Sequence, residues 1–309
     1  MRLWLGPPPS ERLDSSWQWR LEAASPHLDA TGTPLVRVES GASARSQDPR
    51  AGLDTGWRRF SYHDGALFHV AADARDVWLE WPSALSLESA WPYFAGPVLT
   101  WILRRRHRVV LHASAIEVGD GAVLLAGPSG AGKSTTAAAF ALSGYAILSD
   151  DTSALSRRGG EILVASGGPQ LRLWPDASGA LAGFATEDLP PICEGWDKRS
   201  LAVERFCAEA RSVRAVYCLR PEADAGDGQS RAPKSGSKPE LLPRSQALPT
   251  LVAHAAAPEL STRSMRRCEF ELLADLVTRV PVFLLPRGDL QAAGLVDQVL
   301  SSLPEPGGV

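Results

Sequence analysis

Long apolar runs are what this sequence most plainly lacks. No stretch approaches the roughly 18 residues that a membrane span requires, so a membrane partner is not expected. A dominant charge of one sign is missing too. The net charge is −3 at pH 7, so no global positive field recruits nucleic acid or anionic lipid. Cysteine is scarce. The four present (Cys193, Cys207, Cys218, Cys268) form no CxxC pair and accompany no clustered histidine. That excludes a thiolate metal site and a disulfide framework, and reads as reduced thiols in a cytoplasmic protein. The opening Met1–Gly6 meets Pro7-Pro8-Pro9, too short an apolar stretch for a signal peptide. Internal repeats are absent. Excess charge is absent as well: over 309 residues, 44% are hydrophobic and 22% charged, which rules out a mostly disordered chain and allows a core without staples.

What is present is unevenly distributed. Eight of the ten tryptophans lie within the first 101 residues. The same stretch carries short alternating runs, Leu35–Val38 and Ala66–Val70, the second opened by His63-Asp64-Gly65. Such runs between turn residues predict a small β-rich unit over 1–104, possible ground for acceptor recognition or simply a tryptophan-filled core. From Tyr93 to Arg106 the pattern is helical and ends in Arg104-Arg105-Arg106, cations that suit a helix C-terminus. The run to Arg108 reads as a solvated helix end rather than a nucleic-acid patch, since no aromatic residues interleave it.

Over 105–309 the texture is α/β. Val109–Val118 and Ala122–Ala126 read as strands joined by a hairpin at Gly119-Asp120-Gly121. Lys133–Ser143 is helix-prone, with Gly144 at the position of a C-terminal cap. Tyr145–Ser149 is a buried strand, and Thr152–Ser156 with Glu161–Ala165 form a second hairpin. Val213–Leu219 and Val282–Leu285 are further strands, with helices over 263–279 and 289–302. Residues 221–249, rich in Pro, Gly, Ser and Ala, read as a mobile surface loop.

Gly127-Pro128-Ser129-Gly130-Ala131-Gly132-Lys133-Ser134 fits G-x-x-x-x-G-K-[ST] in full. This composition produces that pattern by chance roughly 0.004 times in a chain of this length, so coincidence is set aside. Glycines let backbone N–H groups turn toward phosphate oxygens, and the following helix presents its positive end. Gly127, Ser129, Gly130, Ala131, Gly132, Lys133, Ser134 and Thr135 are therefore the expected nucleotide-binding residues. Lys133 reaches the β- and γ-phosphates, and the Ser134 hydroxyl is placed for Mg²⁺. ATP and Mg²⁺ are the expected cofactors.

Seventeen residues after Lys133 the strand Tyr145–Ser149 runs into Asp150-Asp151. An acid at the end of a neighbouring strand completes the Mg²⁺ site of P-loop folds. A second acid permits one to bind metal and the other to take a proton, or it is merely solvated. Adjacent residues on a strand face opposite ways, so both serve one site only if the chain leaves the strand there. His112, on the strand before the hairpin, is either a packed structural residue or a member of the site. Only four lysines stand against 28 arginines. Lys198, in Trp196-Asp197-Lys198-Arg199, is thus either a retained functional ammonium or a surface residue.

The order Leu111-His112-Ala113-Ser114-Ala115, hairpin, P-loop, Gly144-Tyr145 and Asp150-Asp151 resembles the catalytic core of the HPr kinase/phosphorylases over about 105–157. A similar hairpin entry to the P-loop occurs in phosphoenolpyruvate carboxykinases. The chain is most similar to the HPr-kinase-related versions found in ribosomal-peptide clusters, lasso peptides among them. Those also carry a segment like Leu171-Arg172-Leu173-Trp174-Pro175. The resemblance implies an α/β P-loop kinase domain with a mixed sheet beside the β-rich N-terminal unit. It implies Asp150 as acid/base on the acceptor hydroxyl, Asp151 as a metal or phosphate-organising acid, and His112 beside Asp150. Arg172 and Lys198 sit where such proteins often carry basic residues that could meet the transferred phosphate.

The reading that results is a Mg·ATP-dependent kinase acting on a hydroxyl, serine first, of a peptide or small protein. Two alternatives stand beside it, a small-molecule (sugar-type) kinase and a non-catalytic nucleotide switch. Oligomeric state is left open.

Overall fold

The computed structural model describes residues 2–5, 18–21, 37–42, 58–62, 64–82, 87–181, 184–192, 197–220, 238–286 and 291–304. The chain divides into two compact units, Met1–His107 with Ala257–Arg266, and Arg108–Ala256 with Arg267–Val309. No helix among the described residues is long and apolar enough to cross a membrane. Cys207, Cys218 and Cys268 are free thiols.

The first unit holds a six-stranded sheet built from β1 (Arg2–Leu5), β2 (Gln18–Leu21), β3 (Arg37–Ala42), β4 (Arg58–Ser61), β5 (Leu67–Val70) and β6 (Asp76–Glu80), in the order β1-β6-β5-β4-β3-β2. β1 joins β6 in parallel and the other pairs are antiparallel. The helix expected over Tyr93–Arg106 is broken. Two α segments, α1 (Leu87–Tyr93) and α2 (Leu99–Arg105), flank a wide π turn at Phe94–Val98. Pro92 and Pro97 lack the N–H that a ladder needs, and Gly96 leaves helical angles at φ −97, ψ −109, which accounts for the kink. Trp78 and Trp101 are core residues, 4% and 2% exposed, while Trp91 is exposed.

The arginine run is a solvated helix end only in part, since Arg106 and Arg108 are exposed. Arg104 is buried, and its Nη1 donates to the Ala257 carbonyl at 2.6 Å. Arg105 and Arg106 donate to the carbonyls of Ala72 and Ala74, both at 2.9 Å. These guanidiniums satisfy main-chain acceptors in the first unit, the role that a planar fork of donors suits.

The second unit is mixed α/β. It runs β7 (Val109–Leu111), β8 (Ala113–Val118), β9 (Gly121–Ala126), α3 (Lys133–Leu142), β10 (Ile147–Ser149), β11 (Ser153–Arg158) and β12 (Glu161–Val164). It continues with β13 (Gln170–Leu173), β14 (Arg199–Ala202), β15 (Arg211–Arg220), β16 (Glu240–Leu241), α4 (Arg244–Ala253), α5 (Arg263–Arg279, from Arg267 onward), β17 (Val282–Pro286) and α6 (Ala292–Ser302). The main sheet follows β10-β8-β9-β15-β12-β11-β7, with β17 on β15 and β16 on β17. β9, β15 and β17 are parallel, and the hairpins β8–β9 and β11–β12 are antiparallel. β13 and β14 form a separate two-stranded sheet.

β9 shows why its sequence is apolar throughout: it is covered on both faces. Ala122, Leu124 and Ala126 pack with Leu251 of α4 and Leu272, Leu273 and Leu276 of α5. Val123 and Leu125 pack on the other face with Phe140 of α3 and Leu295 and Val299 of α6. This two-sided burial, on the order of 2 kcal/mol per large side chain, anchors the strand that delivers the glycine loop.

Two sequence expectations are corrected here. The strand read over Val109–Val118 is two strands split at His112: β7 pairs with β11, whereas β8 pairs with β9 and β10. The loop expected over 221–249 ends earlier than that, because residues from 240 build β16 and α4. Leu251 and Ala247 are buried in the core, with Leu242 and Leu248 packed against it. Pro243 sits at the N-cap of α4, where a missing N–H costs nothing. Positions 221–237 lie outside the described residues.

Candidate active site

The glycine loop leaves β9 at Ala126 and enters α3 at Lys133. Gly132, the N-cap, has φ +90, a left-handed angle that glycine tolerates best. Gly127 has φ +157, and a Cβ there would stand 3.0 Å from the Leu219 carbonyl oxygen and 3.2 Å from Ala131 Cβ. The loop therefore lies so close to β15 that a side chain here would crowd it. Lys133 folds back on its own loop, donating to the carbonyls of Gly127 at 2.9 Å and Pro128 at 2.8 Å. Burial pulls its pKa down to about 8, against the charges of Asp151 and Asp150. Two carbonyls thus hold the ammonium against its own loop.

β10 ends at Ser149, and the chain turns sharply through Asp150 and Asp151. Thr152 N–H bonds to the Asp150 carbonyl at 2.7 Å, and Asp151 has φ +61. Aspartate is among the few residues that visit this region. The chain leaves the strand as the paired acids required, and the two side chains then diverge. Asp150 Oδ1 accepts from Ser114 Oγ at 2.6 Å and Ser134 Oγ at 2.9 Å. Its Oδ2 accepts from the Arg172 backbone N–H at 2.9 Å. Burial, and then the negative charge of Asp151, push its carboxyl above the usual range.

Asp151 faces a cavity of about 530 Å³, which it lines with His112, Lys133, Ser134, Arg172 and Lys198. The Lys198 ammonium and Arg172 Nη1 stand 3.8 Å and 3.7 Å from Asp151 Oδ2. Burial alone would raise the Asp151 pKa. Lys198, His112, Arg172 and Lys133 outweigh it and hold the group below its ordinary value. His112 sits at the break between β7 and β8, with its N–H on the His254 carbonyl at 2.9 Å and its Nδ1 3.1 Å from the Asp151 carbonyl oxygen. Burial and then Lys133 lower its pKa. A carbonyl only accepts, so Nδ1 carries the proton and Nε2 is left as an acceptor.

Of the residues singled out in the sequence, all but Gly127, Ala131 and Asp150 line this cavity, and the aspartates are arranged differently from the expectation. The resemblance implied Asp150 for the acceptor proton and Asp151 as a metal or phosphate-organising acid. Asp150 is the carboxylate bonded to Ser134, and Asp151 is the one beside the cavity. His112 neighbours Asp151, not Asp150, through its ring. Ser129, Gly130, Gly132 and Thr135 line the same cavity. Ser114 was missed as a partner of Asp150, although it lies two residues from His112 and the i, i+2 spacing was its signal. Trp174, Asp176 and Asp197 also line the cavity; only folding of the β13–β14 segment brings them there.

The residues fit a magnesium nucleotide. Ser134 Oγ and Asp150 Oδ1 are adjacent hard oxygens, and Asp150 is a carboxylate whose charge burial disfavours, a combination that a cation relieves. Among the described residues, no group of three or more His, Cys, Asp or Glu is placed to hold a metal ion alone. Magnesium commonly takes one or two protein oxygens and the rest from phosphates and water.

No protein-family model matches this chain, and no curated protein matches it. Among solved structures it is similar to the Hpr(Ser) kinase/phosphatase from Coxiella burnetii, with 12% identity and a TM-score of 0.33 over 62% of this chain and 87% of that one.

Proposed function

We propose that this protein is a phosphotransferase that moves the γ-phosphate of Mg·ATP to a hydroxyl, with serine of a peptide or small protein as the acceptor. The observation that carries this reading is the division of labour between the paired aspartates. One is bonded to the serine after the P-loop lysine, and the other stands at the cavity wall between two cations. A nucleotide switch needs only the first.

On this reading Ser134 and Asp150 hold the magnesium ion, Ser114 and the Arg172 N–H fix Asp150, and the loop N–H groups with Lys133 hold the phosphates. When bound, Mg²⁺ supplies neutralisation of phosphate charge. Asp151 takes the proton of the acceptor hydroxyl as that oxygen bonds to the γ-phosphorus and the bond to the β-phosphate oxygen breaks. The low pKa of Asp151 keeps it ionised and ready to accept. A weak base suffices, since phosphoryl transfer proceeds through a loose transition state. Arg172 and Lys198 are then placed to meet charge on the transferring group. The roles of the two aspartates are thus the reverse of those that the resemblance implied.

The test is transfer of γ-labelled phosphate from Mg·ATP into polypeptides of the host lysate, with wild type, Asp150→Asn and Asp151→Asn in parallel. Labelled polypeptide with wild type alone supports the reading and identifies the acceptor by mass. If wild type binds nucleotide and labels no polypeptide, the peptide-kinase reading fails.

A further inference from the structure

Trp174 is placed unlike the core tryptophans. Trp78 and Trp101 are buried, whereas Trp174 keeps 42% of its surface exposed while lining the cavity. Its backbone is held on both sides. Leu173 is fully buried, Pro175 follows with its fixed φ, and the Trp174 carbonyl accepts from Ala177 N–H at 3.0 Å as a 3-10 turn opens over Pro175–Ala180. An exposed indole on a fixed backbone adds little to the core, but it offers a preorganised flat surface.

Its position in the site follows from two connections. Two residues earlier in the chain, the Arg172 N–H bonds to Asp150, the carboxylate on Ser134. The Lys198 ammonium lies 3.8 Å from Asp151 Oδ2 and 5.3 Å from the centroid of the Trp174 ring, so one side chain links the indole to the second aspartate. In the kinase reading, on which this inference rests, the aspartates mark the end of the triphosphate where transfer occurs. The nucleotide base lies beyond three phosphates and a ribose, so the indole belongs to the acceptor side.

We propose that Trp174 is an acceptor-binding residue that stacks on an aromatic side chain flanking the target serine of a polypeptide, with Lys198 steadying the indole through its cation–π contact. An aromatic partner suits an indole through offset or edge-to-face stacking. The carboxylates of Asp176 and Asp197, which line the same cavity, disfavour an acidic one.

The experiment uses the full chain with synthetic serine peptides that differ only in carrying phenylalanine or alanine at each position beside the serine. Binding is measured by calorimetry with magnesium and a non-hydrolysable ATP analogue, and transfer with γ-labelled ATP. Wild type is expected to bind the phenylalanine peptide about tenfold more tightly at one flanking position. Trp174→Ala should abolish that preference, Trp174→Phe should keep most of it, and all three should bind the analogue equally. The proposal is overturned if wild type shows no aromatic preference, if the preference survives in Trp174→Ala, or if Trp174→Ala loses the analogue, which would put the indole on the donor side. Aromatic preference in binding without any transfer upholds the stacking site and removes the kinase reading. Transfer without preference does the reverse.

Discussion

The two walls of the cavity are made in opposite ways. The glycine-loop wall is built from main chain: Gly127 and Gly132 adopt angles or approaches that a side chain would obstruct, and α3 begins directly behind them. The facing wall is built from side chains, Arg172 and Trp174 on or after β13 and Lys198 just before β14, on a two-stranded sheet separate from the main one. A backbone wall can recognise what is common to every nucleoside triphosphate, its phosphates. A side-chain wall can vary without disturbing the fold, so on the proposed reading selectivity for the acceptor belongs there. Asp150 is bonded to both walls, through Ser134 and the Arg172 N–H, while Asp151 stands by Arg172 and Lys198.

The sharpest way to break this comparison is to remove each acid in turn. Asp151→Asn is expected to lower transfer by roughly 10²- to 10⁴-fold, the usual range for a lost general base, with Mg·ATP binding retained. Asp150→Asn should weaken magnesium-dependent nucleotide binding itself. If Asp151→Asn loses nucleotide and Asp150→Asn keeps it, the assignment of the walls is reversed. Gly127→Ala tests the backbone wall. Its Cβ crowds the Leu219 carbonyl and Ala131, and a strain of about 1–3 kcal/mol should appear as a roughly tenfold or greater loss of Mg·ATP affinity by calorimetry.

Smaller effects follow from titration. Lys133, with its pKa lowered by burial to about 8 in the free protein, is charged below that pH and neutral above it. Mg·ATP should therefore bind more weakly as pH rises through about 8, and a Kd that stays flat through this range would place Lys133 outside phosphate binding. The smallest expected change concerns the side-chain wall. Lys198 is the leading favourable charge on Asp151, so Lys198→Ala should raise the Asp151 pKa. The acid limb of the transfer rate would then move to higher pH, and an unmoved limb would separate Lys198 from Asp151.

Legibility in the sequence tracked contiguity. The glycine-loop motif was readable because its eight residues are consecutive, and the β8–β9 hairpin, α3 and the β11–β12 hairpin were readable from local turn and helix signals. The break at His112 was not, because Val109–Val118 is apolar on both sides of it and only the choice of partner strands divides it. The helix α4 was hidden by Pro243 and Pro249, which lend loop composition to a segment whose leucines pack on the core. The kink between α1 and α2 was signalled by Pro92, Pro97 and Gly96, but the apolar run around them read as a continuous helix.

The sequence by itself determined the glycine loop and the presence of two acids at one strand end, since both are local patterns set by neighbours in the chain. Only the tertiary structure decided which acid meets Ser134 and which faces the cavity. That choice is made by a turn at Asp151 with φ +61 and by hydrogen bonds from Ser114 and Arg172, residues 36 and 22 positions away from Asp150. Such contacts leave no trace in local spacing, because they exist only once strands distant in sequence have paired.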